Sequence, residues 1–274
     1  MPENNAFKFS GQAAANYDRY LGPILFEPYA IELVSRLSVN GTVSMLEVAC
    51  GTGRVTRHLR KKFGPPVKLV ASDLSADMLE VAKNKFNDPA IEFRIEDAQN
   101  LSFPDNSFDL VICQFGIMFL PDKQKGLREA LRVLKPGGKF IFSTWDGTEN
   151  VPLLKLIFND TILPLFDSED AARLTVPFAF HNPDMLKNWM NNAGFKDVTA
   201  SRFILSSGCK LPEDIVTAYV HKHSLGQEIL AKHPGNYESI CQKLEQDVAE
   251  KFGNEDLNFE LAAFFVSGEK TGDG

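Results

Sequence analysis

Between residues 44 and 145 short apolar runs alternate with segments whose apolar residues recur every three or four positions. The runs are 44–49 (SMLEVA), 67–73 (VKLVASD), 91–97 (IEFRIED), 108–115 (FDLVICQF) and 138–145 (GKFIFSTW), and each reads as a β-strand. The intervening stretches 54–63, 75–86 and 122–134 read as helices. In the second of these, Ser75 is placed to cap the start, and Met78, Leu79 and Ala82 fall on one face. The KPGG run at 135–138 stops the third helix before the fifth strand. Strands that alternate with helices in this way predict βαβ units on a parallel sheet.

Upstream, residues 26–37 read as a helix, entered through the aromatic segment 15–23, where Gly22-Pro23 marks a movable joint. Downstream the alternation stops. An amphipathic stretch at 152–166 and a proline-punctuated loop lead to a helix at 182–195 that ends at Gly194. Residues 196–205 then alternate as a strand, and a polar helical block at 212–252 separates it from a last strand at 258–268. The expected fold is α/β, a doubly wound, mostly parallel seven-stranded sheet of the Rossmann-like type with helical cap insertions. Its segments are an N-terminal helical lid (1–40), a ligand-binding core (41–146), a cap insertion (147–185) and the C-terminal part of the sheet with its helical insertion (186–274).

With 274 residues and 44% hydrophobic content the chain can bury a substantial core, and its formal charge of −7 argues against a general grip on nucleic acid. The N-terminus MPENNAFKFSG is polar, and no run approaches the roughly 18 apolar residues of a membrane span, so the expectation is a cytoplasmic protein without a membrane partner. Cys50, Cys113, Cys209 and Cys241 lie far apart and form no metal or disulfide pattern, so no metal is expected.

The segment MLEVACGTGRVTRHL (45–59) runs from a strand through a side-chain-poor turn into a helix. Such a turn lets backbone approach a ligand closely, and the helix start offers free N–H groups. A dinucleotide fingerprint would need a third glycine at position 56, which is Thr56, so a nicotinamide or flavin oxidoreductase is disfavoured.

Taken together, the motifs from 45 to 145 resemble, in order, those of the class I S-adenosylmethionine-dependent methyltransferases, of the type acting on small metabolites such as quinone precursors. The resemblance places Glu47, Ala49, Gly51 and Gly53 in the family's first motif, with Ala49 standing where a glycine is usual. It implies that Glu47 faces the methionine amino group and that the Gly51 to Gly53 backbone lies against the cofactor. Asp73, closing the second strand, takes the ribose hydroxyls, and Leu74 and Met78 pack on adenine, although helix core serves Met78 as well. Asp97 and Ala98 meet the adenine edge, with a loop or cap carboxylate as the alternative for Asp97. Gln114 and Phe115 end the fourth strand where cofactor and acceptor meet, and Gln114-Phe115-Gly116-Ile117 is not the motif of enzymes that methylate base amines. The implied cofactor is S-adenosyl-L-methionine and the implied activity is methyl transfer to a small-molecule acceptor by in-line displacement. Rival readings are a methyltransferase for protein side chains and a non-catalytic cofactor-binding regulatory module.

Such a transfer needs alignment more than a fixed triad. If a base takes part, the pool is His181, His223 and Tyr20; His58 and His233 read as surface residues. Val216, Tyr219, Val220 and His223 share a face if 213–226 is one helix, which makes His223 a packing residue first. Tyr17 and Tyr20 before the core, Phe115 and Phe119 after the fourth strand and Trp145 after the fifth suggest an apolar pocket for a hydrophobic or ring-containing acceptor, with Tyr17 near the cofactor.

Overall fold

The structure is a computed structural model that describes residues 11–39 and 43–272, so the parts of the N-terminal segment at 1–10 and 40 lie outside it. A helical run opens the described chain: α1 (Gln12–Asn16), a wide-turned π-helical stretch over Tyr17–Phe26, and α2 (Glu27–Ser35) follow one another directly. The core then alternates as its pattern predicts: β1 (Ser44–Val48), α3 (Arg54–Phe63), β2 (Lys68–Asp73), α4 (Ala76–Lys83), β3 (Ile91–Ile95), β4 (Phe108–Gln114), α5 (Lys123–Val133) and β5 (Leu134–Trp145). Ser75 caps α4, its hydroxyl accepting from Met78 N at 3.3 Å. The helical insert after β5 holds the short α6 (Pro152–Leu154), a second π-helical stretch (Lys155–Ile162) and α7 (Ser168–Leu174). It is followed by α8 (Pro183–Ala193), closed by Gly194 in the left-handed conformation, and by β6 (Lys196–Cys209). The block before β7 (Leu257–Glu269) contains α9 (Pro212–Val216), a third π-helical stretch (Thr217–His221), α10 (Ser224–Lys232) and α11 (Tyr237–Phe252).

The seven strands lie in the order β3-β2-β1-β4-β5-β7-β6. β1 to β5 are parallel, and β7 runs antiparallel to both β5 and β6. Strand order reverses between β1 and β4, and ligands of open α/β sheets bind at the carboxyl ends of the strands at such a switch. Alternate residues of β1 feed two cores. Met45 joins Leu110, Ile112 and the N-terminal helices on one face, while Leu46 and Val48 join Val111, Phe140 and Phe142 under α5 and α8 on the other. No helix among the described residues is long and apolar enough to cross a membrane.

Three local expectations change. β5 begins at Leu134, so the KPGG run lies inside the strand. A register shift between Phe108 and Leu110 takes up the extra residues, and Gly137 accepts the positive φ of 78° there. β6 extends to Cys209 because it pairs along β7 as far as Leu257, and long-range pairing overrides the weak strand preference of Ser206, Ser207 and Gly208. Gly22-Pro23 interrupts nothing; the helix passes through it in wide turns, and Gly22 is the place where the Arg54 guanidinium approaches, 2.1 Å from where a Cβ would sit.

Candidate active site

At the end of β1 the chain turns through Ala49, Cys50, Gly51, Thr52 and Gly53 into α3. Gly51 adopts φ 55°, a conformation glycine takes without strain, and a Cβ there would meet nothing within 4 Å, so its outer side is open. Ala49 has φ 53° although it carries a methyl group, at a strain of about 1–2 kcal/mol relative to glycine. The compensation lies across the crevice, where a Cβ on Gly116 would stand 2.5 Å from the Ala49 methyl and 2.8 Å from Cys113 Sγ. The space lost to one side chain is kept free by the other residue. Phe115, beside Gly116, is also left-handed at φ 54°, which is rare for a bulky residue and marks backbone held in place by its surroundings.

Two carboxylates support this turn. Asp73, at the end of β2, accepts Gly51 N through Oδ2 and Ser75 N through Oδ1, each at 2.8 Å, and burial raises its pKa above the ordinary aspartate value despite those bonds. Glu47 is buried in β1 and accepts the Thr56 hydroxyl at 2.6 Å. Burial pushes its carboxyl up to about 8, the Thr56 bond opposes this, and the nearby Asp73 adds to it. Thr56 occupies the position where a dinucleotide turn has its third glycine, and it holds Glu47 from the first turns of α3. No local signal in the sequence gives it that partner.

The helix over Tyr17–Phe26 covers the turn. Asp18 accepts Thr52 Oγ1 at 2.6 Å, Lys85 Nζ at 2.7 Å and Arg54 Nη2 at 3.1 Å, and Arg54 also reaches Glu27 at 2.6 Å. Burial works against the Asp18 carboxylate, but the Lys85 and Thr52 hydrogen bonds outweigh it and hold its pKa below the usual range. Beneath this cover is a cleft of about 40 Å³ lined by Tyr17, Phe26, Glu47, Gly51, Arg54 and Gln114 among others. Gln114 Nε2 donates to the Phe26 carbonyl at 3.3 Å, while its buried Oε1 has no hydrogen-bond partner among the described residues. Asp18, Glu27, Arg54 and Lys85 carry no motif signature, and sequence reasoning missed all four.

Further along the strand ends, Leu74 is 68% exposed and Ile95, opposite Asp73 in the β2–β3 register, is 61% exposed, two aliphatic side chains left in the open beside buried strands. Ile95 was not singled out from the sequence, since a strand-ending isoleucine looks like any core residue. Met78 is buried within α4. Asp97 Oδ1 accepts Gln99 N at 2.8 Å and its carbonyl accepts Asn100 N, so it shapes its own turn, and the neighbouring Ala98 is partly buried against the second core.

The aromatics gather at the ends of β4 and β5. Phe115 stacks on Trp145 at 3.9 Å and 11°, and Phe26 approaches both rings, at 5.6 and 5.8 Å. Tyr29, unmarked in the sequence reading, meets Phe115 and Trp145 edge-on at 87° and donates its hydroxyl to Leu261 O at 2.7 Å. Phe119 is partly buried at the margin of the same core. The three candidate bases are scattered. Tyr20 lies under the Arg19 guanidinium and outside the cleft lining. His181 bonds Phe178 O through Nδ1 at 2.7 Å and stands 3.7 Å from Glu149. His223 does not continue the face of Val216, Tyr219 and Val220: the helix ends at His221, and His223 caps α10 by accepting Leu225 N, with burial pushing its pKa down to about 4. Among the described residues no three His, Cys, Asp or Glu side chains are grouped to hold a metal ion.

A switch-point crevice with a glycine turn, a strand-end carboxylate and a buried glutamate defines a small-ligand site of a doubly wound α/β protein. Residues 46–142 match the family model described as a methyltransferase domain. The ubiquinone/menaquinone biosynthesis C-methyltransferase UbiE of Hahella chejuensis is 33% identical over 195 residues, covering 65% of this chain and 78% of that protein. Its counterpart in Pseudomonas syringae pv. tomato is 34% identical over 188 residues, covering 64% and 72%. Phosphoethanolamine N-methyltransferase 2 of Haemonchus contortus, solved with S-adenosyl-L-methionine, shares the fold at a TM-score of 0.60 and 20% identity over 96% of this chain, which spans 58% of that one. This chain belongs to the class I S-adenosylmethionine-dependent methyltransferases, and its activity is methyl transfer from that cofactor to a small-molecule acceptor.

The residues present fit the cofactor. The outer side of Gly51 is open, Gln114 Oε1 is a buried acceptor without a partner among the described residues, and Glu47 is a buried carboxyl that accepts the neutral Thr56 hydroxyl.

Proposed function

We propose that the acceptor is an apolar, hydroxylated ring that is methylated at carbon. The observation that carries this reading is the aromatic floor of Phe26, Phe115 and Trp145 at the ends of β4 and β5. The carboxylate next to it, Asp146, is already committed to Arg202 Nε at 2.6 Å, Asn150 Nδ2 at 2.9 Å and Gly147 N at 2.7 Å, so it offers no free counter-charge to an amine. The names of the quinone-pathway relatives agree with such a ring.

S-adenosylmethionine, when bound, supplies a methyl group made electrophilic by its sulfonium sulfur. In this reading Glu47 and Gln114 hold the methionine end, Asp73 uses its remaining lone pairs for the ribose, Leu74 and Ile95 flank the adenine with Met78 beneath, and Asp97 and the Ala98 N–H meet its edge. The chain's main contribution is alignment, which is worth roughly 7–11 kcal/mol for two reactants held in line. The ring carbon ortho to a hydroxyl is itself nucleophilic: it takes the methyl as the S–CH3 bond breaks to leave the neutral thioether, and the proton on that carbon then leaves to water, so His181, His223 and Tyr20 are assigned no step. Labelled-methyl turnover with a prenylated 1,4-naphthoquinol, phosphoethanolamine and a mixed peptide panel tests this. The expected product is a ring C-methyl compound from the quinol alone, and methylation confined to the amine or the peptides overturns the reading.

The cover must move for this to happen. A cleft of about 40 Å³ is far below the roughly 300 Å³ at which small-molecule pockets begin. We read the Tyr17–Phe26 helix as a lid latched by Asp18, which closes over bound cofactor and excludes water. S-adenosylhomocysteine should then slow proteolytic cleavage between residues 11 and 25, and equal cleavage with and without it would sink the lid.

A further inference from the structure

Among the described residues three side-chain oxygens are buried without a hydrogen-bond partner: Gln114 Oε1, Thr144 Oγ1 and Tyr219 Oη. Gln114 belongs to the cofactor cleft, and Thr144 sits inside the sheet between β4 and β7. Tyr219 is different. It lies in the cap, 4% exposed, on the wide-turned stretch Thr217–His221.

Its ring meets Phe158 edge-on at 6.0 Å and 80°, and Phe158 in turn meets Phe178 at 4.8 Å. The same stretch packs against the Tyr17–Phe26 helix. Tyr219 therefore belongs to a stretch that touches both the insert after β5 and the cover of the cofactor cleft. The hydroxyl is buried without a hydrogen-bond partner among the described residues, and such a phenol is costly unless something bonds it. A phenylalanine would fill the same volume at no such cost, so the oxygen calls for a partner that the protein does not itself provide. Burial moves the phenol's pKa above its ordinary value, so it remains an O–H and acts as a donor rather than a base.

We propose that Tyr219 determines acceptor specificity by donating its hydroxyl to an oxygen substituent on the acceptor ring. The inference rests on the reading of the acceptor as a hydroxylated apolar ring, and it makes one residue responsible for recognising the oxygen. Phe158 and Phe178 supply the apolar walls, and Tyr219 supplies the polar contact that sets which way round the ring enters.

The test compares 1-naphthol with 1-methylnaphthalene, which match in shape and differ in the oxygen, by calorimetric titration of the full chain saturated with S-adenosylhomocysteine. Wild type is expected to bind the naphthol about tenfold more tightly, and Tyr219→Phe to bind the two within about twofold while keeping its affinity for the hydrocarbon and for S-adenosylhomocysteine. The melting temperature of Tyr219→Phe should equal or exceed that of wild type, since the variant removes an unpaired group. Equal discrimination in the two proteins, no discrimination in wild type, or no binding of either probe overturns the proposal. Loss of discrimination in the variant together with no methylation of the naphthoquinol would leave Tyr219 in its role and sink only the C-methylation reading.

Discussion

Asp73→Ala is expected to weaken S-adenosylhomocysteine binding by at least about 1.5–3 kcal/mol, roughly 10- to 150-fold, with turnover falling in parallel. Two losses combine. The variant removes the carboxylate proposed to take the ribose hydroxyls, and it also frees Gly51 N and Ser75 N, which Asp73 holds at 2.8 Å on opposite oxygens. The glycine turn would then lose its tie to β2 before any ligand arrives. Folding should persist, because β2 keeps its register with β1 from Lys68 to Ser72 and with β3 from Leu69 to position 73. Asp73→Asn should fall between, since its single carbonyl oxygen can accept from one of the two N–H groups in place of the carboxylate's two oxygens. Isothermal titration of both variants decides the matter, and full affinity in Asp73→Ala would leave the residue a structural tie only.

The second large effect is a pH dependence built on Glu47. Its carboxyl ionises near 4.5 in an unfolded chain and near 8 in the folded apo protein, because burial disfavours the charge. Below pH 4.5 both forms keep the proton and the folded state has its full advantage. As pH rises from about 4.5 to about 8 the unfolded chain releases the proton while the folded one holds it, so apo stability falls across that window and levels off above it. A cofactor ammonium reverses the preference by pairing with ionised Glu47. Binding should then expel a proton below pH 8, and affinity should rise by up to about tenfold between pH 6.5 and 7.5, until the ligand's own amino group begins to deprotonate near 7.7–8.0. Titrations in buffers of different ionisation heat measure the expelled proton directly. Glu47→Gln should flatten the apo melting profile, raise stability at pH 8 and bind the cofactor weakly at every pH. A Glu47→Gln profile parallel to wild type would show that another group carries the dependence.

Much of the framework was legible because it is written in local periods. The strands and helices from 44 to 145 follow from alternation and helical spacing, the Ser75 cap from its place before Met78, Leu79 and Ala82, and the glycine turn from its composition. What escaped was decided by contact between distant residues. Thr56 looks like a missing glycine until it is seen to hold Glu47, and Ala49 looks like a departure from pattern until Gly116 stands opposite it. Asp18 and Glu27 are ordinary helix carboxylates until folding sets them against Thr52, Arg54 and Lys85. His223 read as part of a helical face, yet the helix ends two residues earlier and the imidazole caps the next one. The reversed direction of β7, the exposure of Leu74 and Ile95 and the unpaired hydroxyl of Tyr219 likewise belong to the assembled sheet and cap. By itself the sequence determined the elements and the binding turn, since backbone preference and side-chain periodicity act over a few residues. Only the tertiary structure decided which side chains meet at the strand ends and which stay unpaired there, since burial and hydrogen bonding between segments tens of residues apart arise only when the sheet and its cap close together.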